Sequence, residues 1–169
     1  NFDQGLMTSK TWPEGNMPWT QTWDTQSRVA TQTTAAGEIT TFAYGASATT
    51  ISDPRSNDAT LAHDGSGRLT ETTDAANRTR AIEYAGAGNR SAVEQPSGAR
   101  HLRTHDPASQ NESSVTNAAG QTVAYQYVNR AVAPGFSFRE LAGIAFPDGR
   151  SLLYAYDASG NQISFTDRG

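Results

Sequence analysis

There is no cysteine in this chain of 169 residues. That excludes disulfides, a thiolate nucleophile and cysteine-ligated metal, and it leaves the redox compartment open. No apolar run approaches the ~18 residues that a membrane-spanning helix needs, and no signal-peptide pattern opens the chain. Positive charge is scarce: 13 Lys and Arg stand against 17 Asp and Glu, a net charge of −4. That is not the footprint of a protein that grips nucleic acid or an anionic membrane. Hydrophobic content is only 36% and mean hydropathy is −0.62. Both are low for a packed core and fit a sheet with at least one wetted face. Room for helices is also missing, because Gly or Pro interrupts the chain about every ten residues and a helix needs about 12 to be stable.

What is present is a rhythm. One series of positions places an aromatic residue or a histidine just before a turn: Phe2, Trp23, Tyr44, His63, Tyr84, His105, Tyr127 and Tyr156. The intervals are 21, 21, 19, 21, 21, 22 and 29 residues. A second series of turn residues runs alongside: Gly15, Gly37, Asn57, Asn77, Gly98, Gly120, Gly149 and Gly169. Two independent sets of punctuation in register indicate a repeat architecture. The two turns of each unit leave six to eight residues between them, a common strand length. Apolar residues two before the anchor (Phe42, Leu61, Ile82, Tyr125, Tyr154) share its face if the segment is a strand, while Gln21 and Arg103 break that rule. The expected fold is all-β: a meander of antiparallel hairpins, about eight repeats of ~21 residues, forming one array over residues 1–169.

The stretch His63-Asp64-Gly65-Ser66-Gly67-Arg68-Leu69-Thr70-Glu71-Thr72-Thr73-Asp74 carries the fullest copy of the unit, and Tyr154–Asp167 is close to it. Asp53-Pro54, Gln95-Pro96-Ser97-Gly98 and Phe146-Pro147-Asp148-Gly149 form the second turn. These motifs resemble the YD-repeat proteins, also called RHS (rearrangement hotspot) repeats, over essentially the whole chain. Departures are His for Tyr at His63 and His105, and the missing Asp after Tyr44, Tyr84 and Tyr127. The resemblance implies a strip of a larger coiled β-shell that encapsulates a C-terminal toxin domain and helps deliver it, in a secreted or surface-exposed bacterial polymorphic toxin system. Family members also occur in insecticidal toxin complexes. The implied partners are the rest of the shell, the enclosed toxin and secretion-apparatus proteins. Open repeat ends lead us to expect a piece of a longer array whose edge strands self-associate when isolated.

Chemistry-bearing clusters are thin. His101 and His105 are four apart, about 13 Å along one strand face, too far to share a metal. Asp53, Asp58 and Asp64 lack calcium-loop spacing. No serine sits in a nucleophile elbow. We therefore expect no enzyme activity, no cofactor and no metal. Trp12, Trp19 and Trp23 either fill space between hairpins or form a sugar-binding platform. The interval of 29 marks an insertion at about 128–145, expected as a long hairpin loop that tucks Phe136 and Phe138 against the sheet or offers them to a partner. The alternative function, from another class, is an extracellular adhesion or carbohydrate-binding module using these aromatics.

Overall fold

The computed structural model describes residues 1–169. It contains strands and turns and no helix. The chain divides into two compact units, Asn1–Arg80 and Ala81–Gly169. The first unit holds β1 (Phe2–Asp3), β2 (Leu6–Met7), β3 (Ser9–Lys10), β4 (Trp19–Trp23), β5 (Val29–Thr34), β6 (Ile39–Tyr44), β7 (Ala48–Ser52), β8 (Asp58–His63) and β9 (Leu69–Thr73). β10 (Thr79–Tyr84) begins in the first unit and continues into the second. The second unit goes on through β11 (Arg90–Glu94), β12 (Arg100–His105), β13 (Glu112–Thr116), β14 (Thr122–Ala133), β15 (Phe136–Ala145), β16 (Ser151–Tyr156) and β17 (Gln162–Arg168). β1 and β2 form a small sheet of their own. From β3 to β9, and again from β10 to β17, each strand pairs antiparallel with its sequence neighbour. The all-β meander expected from the rhythm is the fold.

Register sorts the side chains into two faces in each unit. In the first unit Phe42 pairs with Ile51 and Tyr44 with Thr49, while Leu61 faces Thr49 and Thr72. The opposite face is a lawn of hydroxyls, with Thr22, Thr31, Thr41 and Ser52 in register across four strands. In the second unit Ile82 pairs with Val93, Val115 with Val123 and Ile144 with Tyr125 and Leu152. The reverse face there carries Thr104, Ser114 and Ala124 in register. Threonine suits the pleated surface and accepts water on its outer side. The apolar faces have little above them. Ile82 and Ala92 are the only hydrophobic residues that count as buried, and no large side chain is fully enclosed. Hydrophobic burial, worth about 25 cal/mol per Å² where it occurs, is a modest contributor, and the backbone ladders carry more of the load.

The turns joining the strands come in two kinds. The second turns are uniform. In each, residue i donates its N–H to the carbonyl of i+4, and residue i+3 donates back to the carbonyl of i: Trp12–Asn16, Thr34–Glu38, Asp53–Asn57, Asp74–Arg78, Gln95–Ala99, Asn117–Gln121 and Phe146–Arg150. Residue i+3 has positive φ in every case, as expected of a type I turn closed by a left-handed residue. Here the structure corrects the sequence reading at one repeat. The left-handed residue is Ser56 (φ 62) rather than Asn57, which instead donates its side-chain amide to Asp53 Oδ2. With Ser56 in place, six successive anchors from Tyr44 to Tyr156 lie seven residues after the preceding left-handed residue (37→44, 56→63, 77→84, 98→105, 120→127, 149→156). Gly169 directly follows the last residue of β17.

From Gly37 onward, length variation therefore sits in the first turns, while in the opening repeat Trp23 lies eight residues after Gly15. Asp24–Arg28, Asp64–Arg68, Ala85–Asn89 and Asp157–Asn161 keep the five-residue form. Gly45–Ala48 is a residue shorter, closed by Gly45 N–H to Ala48 O at 2.7 Å, and the register slip found at Trp23 and His63 is absent beside it. Those two omissions shorten that interval to 19. Asp106–Asn111 is a residue longer. At the next position the expected long loop does not exist. β14 and β15 simply continue as a paired ribbon to Ala133 and Phe136, closed at Pro134-Gly135, because alternating small and bulky residues (Val128, Arg130, Val132, Phe138, Glu140) support strand throughout.

Where a second-turn hairpin opens toward the first-turn end, its ladder stops early. β5 and β6 pair only from Thr33↔Ile39 to Thr31↔Thr41, β13 and β14 only to Ser114↔Ala124, and β15 and β16 only to Gly143↔Leu153. The anchor bridges each gap. Tyr44 donates its hydroxyl to Val29 O at 2.8 Å, Tyr127 to Glu112 O at 2.9 Å and Tyr156 to Leu141 O at 2.8 Å. Trp23 does the same with its indole N–H to Met7 O at 3.0 Å. His63 sits where no gap needs closing, since β7 and β8 pair over five positions from Ser52↔Asp58 to Ala48↔Ala62. Tyr156→Phe should lower unfolding stability by about 1 kcal/mol, the usual worth of one such bond, read by urea denaturation. His63→Phe at the closed ladder should cost less, and equal losses would refute the bridging role.

Candidate functional site

Aspartates recur in the turns at both ends of the strands. Asp24 Oδ1 accepts the N–H groups of Gln26 and Arg28, and Oδ2 accepts from the Arg28 guanidinium. Asp64 repeats this with Ser66 and Arg68, and Asp157 with Ser159 and Asn161. At the second turns Asp53 and Asp74 do the same. Asn117 does it uncharged, accepting from Ala119 and Gln121. Accepting two backbone donors stabilises the ionised carboxylate. Asp24 and Asp64 are held below the ordinary value of 3.8, first by the backbone N–H of Arg28 and Arg68. Asp53, Asp74 and Asp157 are lowered first by the side chains of Asn57, Arg78 and Asn161. These carboxylates are committed to their own turns and do not converge. No three His, Asp or Glu residues are placed to hold a metal ion.

The extended β14–β15 ribbon is the largest departure from this plan. Its root is fastened on both sides. Arg139 reaches Asp106 Oδ1 at 3.3 Å in the turn before it. Arg130 pairs with Glu140 and donates to Ala158 O at 3.4 Å in the turn after it. The Arg130–Glu140 pair is mostly shielded from solvent. A Cβ on Gly160 would collide with the Arg130 guanidinium, so Gly160 answers to two constraints, its φ of 88° and this close approach. Beside the root lies an open groove of about 410 Å³ lined by Val128, Arg130, Glu140, Ala142, Tyr154 and Tyr156.

Phe136 and Phe138, expected to tuck against the sheet, instead stand 71% and 61% exposed on the ribbon, with Val132 at 44%. Arg130 lies 5.6 Å from the Phe138 ring centroid. The tryptophans take separate roles. Trp19 and Trp23 are half-buried on one face of β4. Trp12 lies beyond β3, 46% exposed, with the Lys10 ammonium 5.9 Å from its ring. The indole N–H of Trp23 is already bonded to Met7. Gln21, which broke the apolar rule in sequence, is 8% exposed. Its amide donates to Met7 O at 2.7 Å and accepts from Gln32 at 3.3 Å, a role no periodicity could signal. His101 is exposed and His105 half-buried on β12.

No protein-family model and no curated protein matches the chain. Among solved structures, the chain is similar to the Photorhabdus luminescens Tc holotoxin pore carrying the TccC3-D651A mutation, with a TM-score of 0.56, 14% identity and 88% of this chain covered. It is likewise similar to the TcdB2-TccC3 crystal structure, with a TM-score of 0.57, 15% identity and 89% coverage. It spans 9% of the length of either matched chain. At this identity the likeness concerns the fold.

Two outcomes test the site's construction. Folding lowers the proton affinity of the turn aspartates, so protonation favours the unfolded chain. Their stabilisation is complete above about pH 5 and is lost as the pH falls through their depressed values. The urea midpoint should drop between about pH 5 and pH 3. Asp64→Asn, which keeps the Oδ1 acceptor as Asn117 does, should flatten part of that drop, and an unchanged slope would refute it. Gly67 and Gly160 share positive φ, but nothing lies within 4 Å of a Cβ at Gly67. Ala at Gly67 should cost about 1–2 kcal/mol from backbone strain alone, and Ala at Gly160 measurably more, read as melting temperature.

Proposed function

We propose that this chain is a stretch of wall in a YD-repeat shell that encloses a toxin polypeptide and takes part in its delivery outside a bacterial cell. The observation carrying this reading is a hairpin meander whose apolar faces are left uncovered in both units. Such faces are stable only when other material lies over them. The sequence motifs resemble a family with members in insecticidal toxin complexes, and the solved structures similar in fold are named as Tc toxin assemblies. Motif and fold point the same way. The role is structural. The aspartates, the groups suited to acid–base chemistry, are engaged in turns, and we assign no catalysis and no cofactor to these residues.

In a full-length product containing this array, the enclosed polypeptide should resist protease until the shell is opened by mild denaturant. It should be cut at least about tenfold faster when expressed without the array, the protection expected when opening is a minor state. Equal cleavage rates in the two settings would overturn the wall reading. Saturable glycan binding lost on Trp19→Ala would replace it with an adhesive one.

A further inference from the structure

The β14–β15 ribbon carries chemistry that the repeat does not require. From Ala131 to Phe138 there are eight uncharged residues, Ala-Val-Ala-Pro-Gly-Phe-Ser-Phe. Strand alternation places Phe136 and Phe138 on one side of β15, and Val132 sits at the register break between Ala131 and Ala133. Arg130 and Arg139 flank this tip, but both are neutralised, by Glu140 and Asp106. Charge attraction is therefore not what the tip offers.

The backbone is the second observation. β14 pairs with β13 only as far as Ala124, and β15 pairs with β16 only from Gly143 onward. Between these limits the two strands pair with each other alone. The outward N–H and C=O groups of β15 from Phe136 to Glu140 thus form a free sheet edge beside exposed aromatic rings, ending where the Tyr156 hydroxyl caps Leu141 O at the groove next to Tyr154.

We infer that this edge is a docking strand for an extended apolar segment of polypeptide, which adds to β15 as a further strand and lays alternate side chains on Phe136 and Phe138. A free edge supplies main-chain bonds to any sequence, and the rings select for apolar ones. A lipid bilayer fits less well, because it would leave the same outward N–H and C=O groups without partners. The clamped root keeps the tip presented: Arg139 to Asp106 on one side, Arg130 to Ala158 on the other. This rests on the wall reading, and it identifies where the wall touches its contents.

The probe is reduced, carboxymethylated α-lactalbumin, a permanently unfolded chain, titrated against the 169-residue protein by fluorescence anisotropy. Saturable binding is expected, absent with native α-lactalbumin. It should weaken about tenfold or more in a Phe136→Ser, Phe138→Ser double variant, the scale on which an aromatic anchor acts. Both rings are largely in water, so the variant should keep its melting temperature. Amides of 136–140 should gain protection from hydrogen exchange on binding. Equal affinity of wild type and variant, or no protection at 136–140, would overturn the inference. Binding to phosphatidylcholine vesicles with none to the unfolded chain would overturn it in favour of lipid. In the full-length product the double variant should still shield its contents from protease, so loss of docking with protection intact separates this inference from the wall reading.

Discussion

A sheet of hairpins with no core must solve a problem at every place where two neighbouring strands part company before their ends. In this chain the parting occurs between successive repeats, and it is closed by one hydrogen bond from the polar tip of an aromatic ring. Tyr44, Tyr127 and Tyr156 each reach a carbonyl fifteen residues back, and Trp23 reaches one sixteen back with an N–H. The ring covers the apolar face while its tip satisfies a backbone acceptor that the ladder has left behind. That combination explains why Tyr or Trp, rather than any large hydrophobe, holds the bridging positions. Where the ladder runs to its end, as between β7 and β8, the position is held by His63 and no bridge is needed.

Much of this was legible from the residues. Strand periodicity and doubled turn signals were enough for the meander, because Gly, Asn and Asp at fixed offsets dictate backbone shape locally. The misreading of Asn57 for Ser56 shows where the code is soft. Ser is an uncommon left-handed residue, while Asn57 is a good turn former one position on, and only the hydrogen bonds around Asp53 distinguish them. The insertion was legible as extra length but not as shape. Pro134-Gly135 closes the ribbon, yet nothing local says that neighbouring turns brace it, since Asp106 and Ala158 are 33 and 28 residues away from the arginines they hold. The burial of Gln21 was invisible for the same reason.

The aspartates illustrate how a feature suggestive of chemistry can be architectural. Spread along the chain at turn positions, they are ionised more readily than free carboxylates because backbone donors are aimed at them. Their arginine partners are partly exposed, so the ion pairs themselves add little. The backbone geometry is what the carboxylate secures. Asn117 achieves the same geometry without charge, which places the essential property in an acceptor oxygen two atoms from the main chain.

The contrast between the two sets of turns has a consequence for how such an array diversifies. Seven second turns share a single five-residue form, while the first turns run from four residues to a twelve-residue strand folded back on its neighbour. One border of the ribbon behaves as a selvedge, fixed so that the weave keeps its spacing. The other is a fringe, where new sequence can be added or trimmed without disturbing the cloth, and novelty should collect there.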